Sequence, residues 1–433
     1  MKVGHVIRSE RIRQDMKQIV LAKGICTPSY LSKIERNLIH PSDDVAELLL
    51  ERLGIDATKF HEPDHINSDK EFMELILASY RMVITKKDKT YTKQQLDMLM
   101  AINPLSYDDS VYYTYLLVTF RFRLILGGDL EERKIELDAV DGLTSYFDEF
   151  QMYLFNINRG LFYYVSGILV KSIHYFEAAF ETMNNLSLDD WEVAELHYMI
   201  GITYVADNRT LHSREHVQKA LSYFSSQFLM GRVMDCYIIM GVVHKQSRNF
   251  DESLNAYLKA RQICEEFGLN SNLELILHNI GALYGVIGDR EKAIKSFKES
   301  YEYNSHLTNG QLLSILCIAM EYSKLKNKKL ILEWCEKGIK HYELLENEGQ
   351  ASYYHQLSFM KSMYSENGLC EDIAKTSLVY FKENLHYELV SKYSIALANW
   401  YFENKKYKLS ATLYEEAHKY GNIYRNITEW EDL

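Results

Sequence analysis

The chain has 433 residues and a net charge of −11, 60 Asp and Glu against 49 Lys and Arg, a balance that argues against a general nucleic-acid binder. Its six cysteines form no CxxC pair and suggest neither a disulfide framework nor a zinc site. No stretch has the roughly 18 continuous apolar residues of a membrane span, and the start has no signal-peptide core, so a cytoplasmic protein with no membrane partner is expected.

The charge is unevenly placed. Residues 1–40 hold eight Lys and Arg against three Asp and Glu, a balance of +5, which leaves −16 for the other 393 residues. In that basic head a first helix is predicted over Gly4 to Arg13 and a second over Met16 to Lys23, closed by Gly24. Thr27 suits an N-cap and Pro28 the first helical position, so a third helix is predicted from Pro28 to Asn37. Its Leu31, Ile34 and Leu38 share one face, and Ser29, Ser32, Lys33 and Arg36 share the other. An apolar back with a hydroxyl-rich, cationic front can pack on neighbouring helices and still enter a major groove. Pro41 and Ser42 open a fourth helix with Val45, Leu48, Leu49, Leu50 and Leu53 on its core side.

Gly24 to Arg36 with Pro41 and Ser42, together with Ile7 to Arg11, resembles the phage-repressor-like helix-turn-helix family. The resemblance implies that Arg11 pairs with Glu35 to brace the first helix, that Gln18 touches phosphate, and that Thr27, Ser29, Tyr30, Lys33 and Arg36 face bases and backbone. One departure is the interval from Gln18 to Ile25, shorter than the common family spacing. Residues 1–60 are thus expected to be a helix-turn-helix domain, with a linker over 61–69.

That linker contains His61-Glu62-Pro63-Asp64-His65, an HExxH string on paper. Metal binding by this motif needs both histidines on one face of a continuous helix, which Pro63 opposes, so no metal site is expected.

The four prolines are Pro28, Pro41, Pro63 and Pro104, and their absence from the 329 residues after Pro104 points to an all-helical body. Gly160, Gly201, Gly241 and Gly281 recur at intervals of 41, 40 and 40. In the helix after each comes a small residue with an aromatic four on: Ser172 and Phe176, Ala220 and Phe224, Ser253 and Tyr257, Ala293 and Phe297. Glycine allows two helices to approach, and the aromatic fills the gap beside it. Residues 70–433 resemble about eight or nine tetratricopeptide repeats, so the expected fold is all-α, a helix-turn-helix followed by a right-handed α-solenoid.

Such an array presents the first helix of each pair to a concave surface suited to an extended peptide. The expected lining includes Asn158, Tyr164, Tyr198, Asp235, Lys245, His278, Asn279, His355, Lys392 and Asn399. Asparagine amides both give and accept hydrogen bonds and so can grip a peptide backbone. Arg121 and Arg123 stand in an apolar helix, either as a clamp for a ligand carboxylate or as partners in an internal ion pair.

A repressor-like helix-turn-helix followed by such repeats resembles the peptide-pheromone receptors of Gram-positive bacteria, the Rap, Rgg, NprR and PlcR group, and NprR most. The resemblance implies a transcription regulator whose operator binding is controlled by a short signalling peptide, and half-site reading implies a homodimer. Two alternatives stay open: a Rap-like regulator that binds or dephosphorylates a response regulator, and a scaffold with no small ligand. No phosphate-binding loop, nucleophile elbow or metal cluster is present in the sequence, so neither enzyme activity nor a cofactor is expected.

Overall fold

The computed structural model describes residues 3–55, 68–102, 104, 107–269, 272–303, 308–345, 350–365 and 369–425. The HExxH string lies outside them. Every regular element among the described residues is helical, and the chain divides into two compact units, Met1–Asn249 and Phe250–Leu433.

The first unit opens with four short helices, α1 (Val3–Arg13), α2 (Gln18–Ala22), α3 (Pro28–Glu35) and α4 (Asp43–Arg52). Nine helices follow: α5 (Asp69–Lys86), α6 (Lys89–Met100), α7 (Asp109–Leu126), α8 (Leu130–Asp141), α9 (Glu149–Val165), α10 (Leu169–Met183), α11 (Asp190–Ala206), α12 (Thr210–Ser226) and α13 (Met230–Gln246). The second unit holds α14 (Phe250–Glu266), α15 (Leu273–Ile287), α16 (Arg290–Tyr303), α17 (Asn309–Lys324), α18 (Lys328–Leu344), α19 (Ala351–Met363), α20 (Glu371–Glu383), α21 (Tyr387–Glu403) and α22 (Tyr407–Arg425). Within each unit, successive helices from α5 on pack as neighbours in repeats of the tetratricopeptide kind.

Local chemistry sets the helix starts. The Asp148 carboxylate accepts the Gln151 N–H at 2.8 Å, and the Gln151 side-chain oxygen accepts the Asp148 N–H at 3.1 Å, a reciprocal cap that satisfies two donors otherwise left open. Asp189 with Glu192 and Thr308 with Gln311 repeat the device at α11 and α17.

The recurring glycines do what their spacing predicts. A Cβ on Gly160 would lie 2.7 Å from the Phe176 ring, and one on Gly281 2.7 Å from the Phe297 ring. Gly201 differs from expectation, because its close neighbour is Val217, at 2.5 Å, rather than Phe224 two turns further along α12. The small residue of that pair is Ser213, twelve residues after the glycine, not Ala220. Its hydroxyl donates to the Gly201 carbonyl at 2.8 Å, as Ser172 does to Gly160 at 2.8 Å and Ser410 to Ala398 at 2.9 Å. These fully or nearly buried hydroxyls lock the second helix of a pair to the backbone of the first.

Between α11 and α12, His197 and His216 share a hydrogen bond, Nδ1 to Nδ1, at 2.9 Å. One ring must be the donor and the other the acceptor, so the contact requires neutral imidazole. Burial first, then the neighbouring His216 and Lys219, pushes His197 down to about 4.

Two outcomes are expected. Gly201→Leu forces a branched side chain into Val217 and should cost about 1–3 kcal/mol, read as a lower urea midpoint at unchanged slope. For His197, the unfolded ring titrates near 6.5, so between about 6.5 and 4 the unfolded chain binds more protons and stability falls as pH falls through that window. The urea midpoint should therefore drop less between pH 7 and pH 5 in His197→Phe than in the wild type, and equal drops would contradict this assignment.

Candidate nucleic-acid and ligand interfaces

Thr27 caps α3: its Oγ1 accepts the Tyr30 N–H at 3.2 Å, and Pro28 takes the first helical position. Gly24 at φ +77° ends the turn out of α2, with the Ile25 and Cys26 N–H groups both donating to the Ala22 carbonyl at 3.0 Å. The short interval before Ile25 is therefore accommodated by a five-residue α2, starting at Gln18 rather than Met16. Leu31 and Ile34 are fully buried, whereas Thr27, Ser29, Lys33 and Arg36 are exposed and Ser32 and Tyr30 half-buried.

Leu38 departs from its expected place, being 67 % exposed. Asn37 adopts φ +50°, which ends the helix and turns Leu38 off the buried face. Leu48 is also exposed, while Leu49, Leu50 and Leu53 carry the core side of α4.

Glu35 is buried at 2 % exposure and receives a two-pronged bond from Arg11, Nε to Oε1 at 2.6 Å and Nη2 to Oε2 at 2.9 Å. The third guanidinium nitrogen donates to the Met16 carbonyl at 2.8 Å. Gln18 adds a donor to the same carboxylate at 2.7 Å. The fork geometry of arginine thus ties α1, the entry to α2 and the end of α3 into one unit. In this arrangement the Gln18 amide nitrogen is turned inward to Glu35.

The residues expected to face a peptide fall into two groups. Some are enclosed in the packed layers of the first unit. Asn158, 2 % exposed, donates to the Leu117 carbonyl of α7 at 2.9 Å. Arg121, 2 % exposed, donates to Glu195 of α11 at 3.3 Å. Glu195 also binds Arg232 of α13, which reaches Asp235 at 3.4 Å and lies 4.2 Å from the centre of the Tyr198 ring. Lys87, just past α5, closes the cluster on Asp235 at 2.5 Å. Burial opposes the Arg232 charge, but Glu195 and Asp235 outweigh it and its pKa is raised. Tyr198 and Asp235 are therefore buried parts of an ionic cluster rather than open lining. Arg123 is likewise engaged, with Glu136 at 3.1 Å, so the two arginines of α7 resolve as internal ion pairs.

A second group is accessible. Tyr164 and Lys245 are half-buried in the first unit. In the second unit His278 and Asn279 are half-buried, with His278 3.0 Å from the Ser314 hydroxyl. His355 stacks on Tyr380 at 4.0 Å between centres. Lys392 and Asn399 are exposed, Asn399 accepting from the Tyr414 hydroxyl. Three further residues complete the ionic cluster, Glu195, Arg232 and Lys87; the first two carry a signal in the sequence, an ionisable residue inside a largely apolar first helix, and Lys87, past the end of α5, carries none. Among the described residues no three His, Cys, Asp or Glu side chains are placed to hold a metal ion, and no helix is long and apolar enough to cross a membrane.

Arg11→Met leaves the Glu35 charge buried without its fork partner and should cost about 3–5 kcal/mol. The expected readout is early loss of helix-turn-helix structure on heating, and restoration of stability in the Arg11→Met, Glu35→Leu double variant.

Residues 7–60 match a helix-turn-helix family. Over 421 residues the chain is 28 % identical to the transcriptional activator NprA of Geobacillus stearothermophilus, covering 94 % of this chain and 100 % of NprA. The apo form of the quorum sensor NprR from B. thuringiensis superposes with a TM-score of 0.66 at 18 % identity, over 82 % of this chain and 98 % of that one. NprR in complex with its cognate peptide NprX gives 0.59 at 17 % identity, over 82 % and 98 %. A Rap protein complexed with Competence and Sporulation Factor gives 0.66 at 16 % identity, over 83 % and 100 %. Residues 7–60 are thus a helix-turn-helix domain, the repeat body has the fold of the Rap and NprR structures, and the chain is similar along nearly its whole length to a transcriptional activator.

Proposed function

We propose that this chain is a transcription regulator that binds duplex operator DNA through α3 and whose DNA binding is set by a short signalling peptide held on the first-helix face of the repeats. The observation that carries the DNA half is the division of α3. Its back is sealed by Leu31, Ile34 and the Arg11–Glu35 fork, while Thr27, the cap, and Ser29, Lys33 and Arg36 are exposed on a segment of charge +5. Hydroxyls and cations at that spacing suit phosphates and guanine edges. Gln18 reaches phosphate in this scheme from the start of α2, sharing its amide with Glu35.

The peptide half is supported by the likeness to the NprR–NprX complex and by the polar residues left accessible on first helices. Tyr164 and Lys245 in the first unit, and His278, Asn279, His355, Lys392 and Asn399 in the second, are the contacts we assign. A homodimer in the cytoplasm, reading paired half-sites, completes the scheme. The Rap likeness supports a second reading, in which the repeats bind a response regulator.

Lys33→Ala with Arg36→Ala should weaken binding to a duplex selected from a random pool by the wild type, and should reduce the slope of log affinity against log salt by about 2. An unchanged slope would remove α3 from the interface. Incubating the purified chain with culture-medium extract and analysing the bound fraction by mass spectrometry should recover a peptide of about five to ten residues that alters affinity for the selected duplex. Recovery of a response regulator from cell lysate, with no peptide effect on DNA affinity, would favour the second reading.

A further inference from the structure

The helix-turn-helix does not hang from its linker. Its core residues Val6, Ile7, Leu21, Leu31, Ile34, Leu49 and Leu50 form one cluster with Tyr112 and Tyr113 of α7 and Leu143 after α8. Around this shared core stands a ring of polar and aromatic contacts. His5 is 2 % exposed, and its Nδ1 meets the Tyr113 hydroxyl; its ring lies 4.1 Å from that of Tyr146, in the 3-10 turn Thr144–Tyr146. The Ser9 hydroxyl is 3.4 Å from that of Tyr112, and the Tyr146 hydroxyl donates to the carbonyl of Arg36, the residue that ends α3. Gly142 lets α8 approach so closely that a Cβ there would lie 3.4 Å from both Arg8 and Ile12. On the other side of α1, a Cβ on Gly4 would collide with the Ile34 carbonyl of α3. Helix α1 is therefore packed between the recognition helix and the first repeats.

The same α7 is fastened along its length to the rest of the first unit. Gln151 of α9 donates to the Ser110 carbonyl at 3.1 Å, Asn158 to that of Leu117 at 2.9 Å, and Arg121 reaches Glu195. Tyr113 and Arg121 are eight residues apart, about 12 Å along a rigid helix. One end of α7 touches the helix-turn-helix, and the other end is held by the ionic cluster of α11, α13 and Lys87.

We propose that α7 is the lever through which the repeat body positions the recognition helix, with His5 and Tyr113 as the buried joint and Tyr146 as its outer wall. Tyr112, Tyr113, Gly142 and Tyr146 are then positioning residues for DNA reading although all lie outside the helix-turn-helix. The inference rests on the proposed DNA-binding reading for its purpose, but the joint itself is testable without DNA or peptide. Coupling of this kind needs a packed element that both sites bias, and α7 is such an element.

The test is amide hydrogen exchange on the full chain, alone in buffer. Tyr113→Phe removes the hydroxyl at His5 and keeps the ring, and Tyr146→Ala removes the second wall. Each should speed exchange in Val3–Arg13 by about tenfold or more, the loss expected when one hydrogen bond's worth of docking is removed. Glu195→Gln, far from the joint, should speed exchange in α11 and α13 and also in Val3–Arg13. Faster exchange in α11 and α13 with Val3–Arg13 unchanged would overturn the lever, and wild-type exchange in Tyr113→Phe and Tyr146→Ala alike would overturn the joint. If Glu195→Gln fails to fold, Asn158→Leu breaks the middle fastening and carries the same expectation. Loss of binding to the selected duplex in Lys33→Ala, Arg36→Ala with normal exchange in Val3–Arg13 keeps a failure of the DNA reading distinct from a failure of the joint.

Discussion

Helix α7 is buried at twelve of its eighteen residues, and two of its buried neighbourhoods hold opposite kinds of chemistry. Its first turns enter the apolar core of the helix-turn-helix. About two turns of mostly apolar side chains then lead to Arg121, a guanidinium with almost no solvent contact. A charge in that position persists only if opposite charges meet it, so Glu195 must lie across on α11. Glu195 is shared with a second buried guanidinium, Arg232, whose charge Asp235 balances, and Lys87 stands on the outer side of Asp235. The cluster links α7, α11, α13 and the end of α5.

The helix-turn-helix solves the same problem on a smaller scale. Glu35 is as buried as Arg121, and the fork of Arg11 with the Gln18 amide meets both of its oxygens. That bracing leaves the outward face of α3 free of structural duty. Thr27 is spent on the cap, but Ser29, Lys33 and Arg36 have no fold to hold together, so their side chains are available to a partner. The strongly acidic remainder of the chain, at −16, disfavours DNA contact anywhere but at this end.

How much of this was legible in the sequence depended on distance along the chain. The Thr27–Pro28 start, the glycine recurrence and the apolar back of α3 are local patterns and were readable as such. Leu38 was misplaced because helical spacing was extended past Asn37, whose left-handed conformation stops the count. At Gly201, Ala220 and Phe224 imitate the small-plus-aromatic pattern two turns beyond the true pair; the serine twelve residues after the glycine, Ser172 or Ser213, is the better marker. The enclosed positions of Asn158, Tyr198 and Asp235 depend on partners 34 to 148 residues away, and the docking of α1 on α7 joins residues 103 and 108 apart. No periodicity reports such pairings. The one available hint was the composition of α7 itself, apolar on every side and therefore destined for the interior.

The most direct test of the central claim, that α3 is the DNA-reading face of a regulator, is site-specific photo-crosslinking. A benzophenone amino acid placed at Ser29 should crosslink efficiently to a duplex selected by the wild-type chain, and the same group placed at Glu215, exposed on α12, should not. Equal crosslinking from the two positions, or none from Ser29 under conditions where the duplex is bound, would contradict the account.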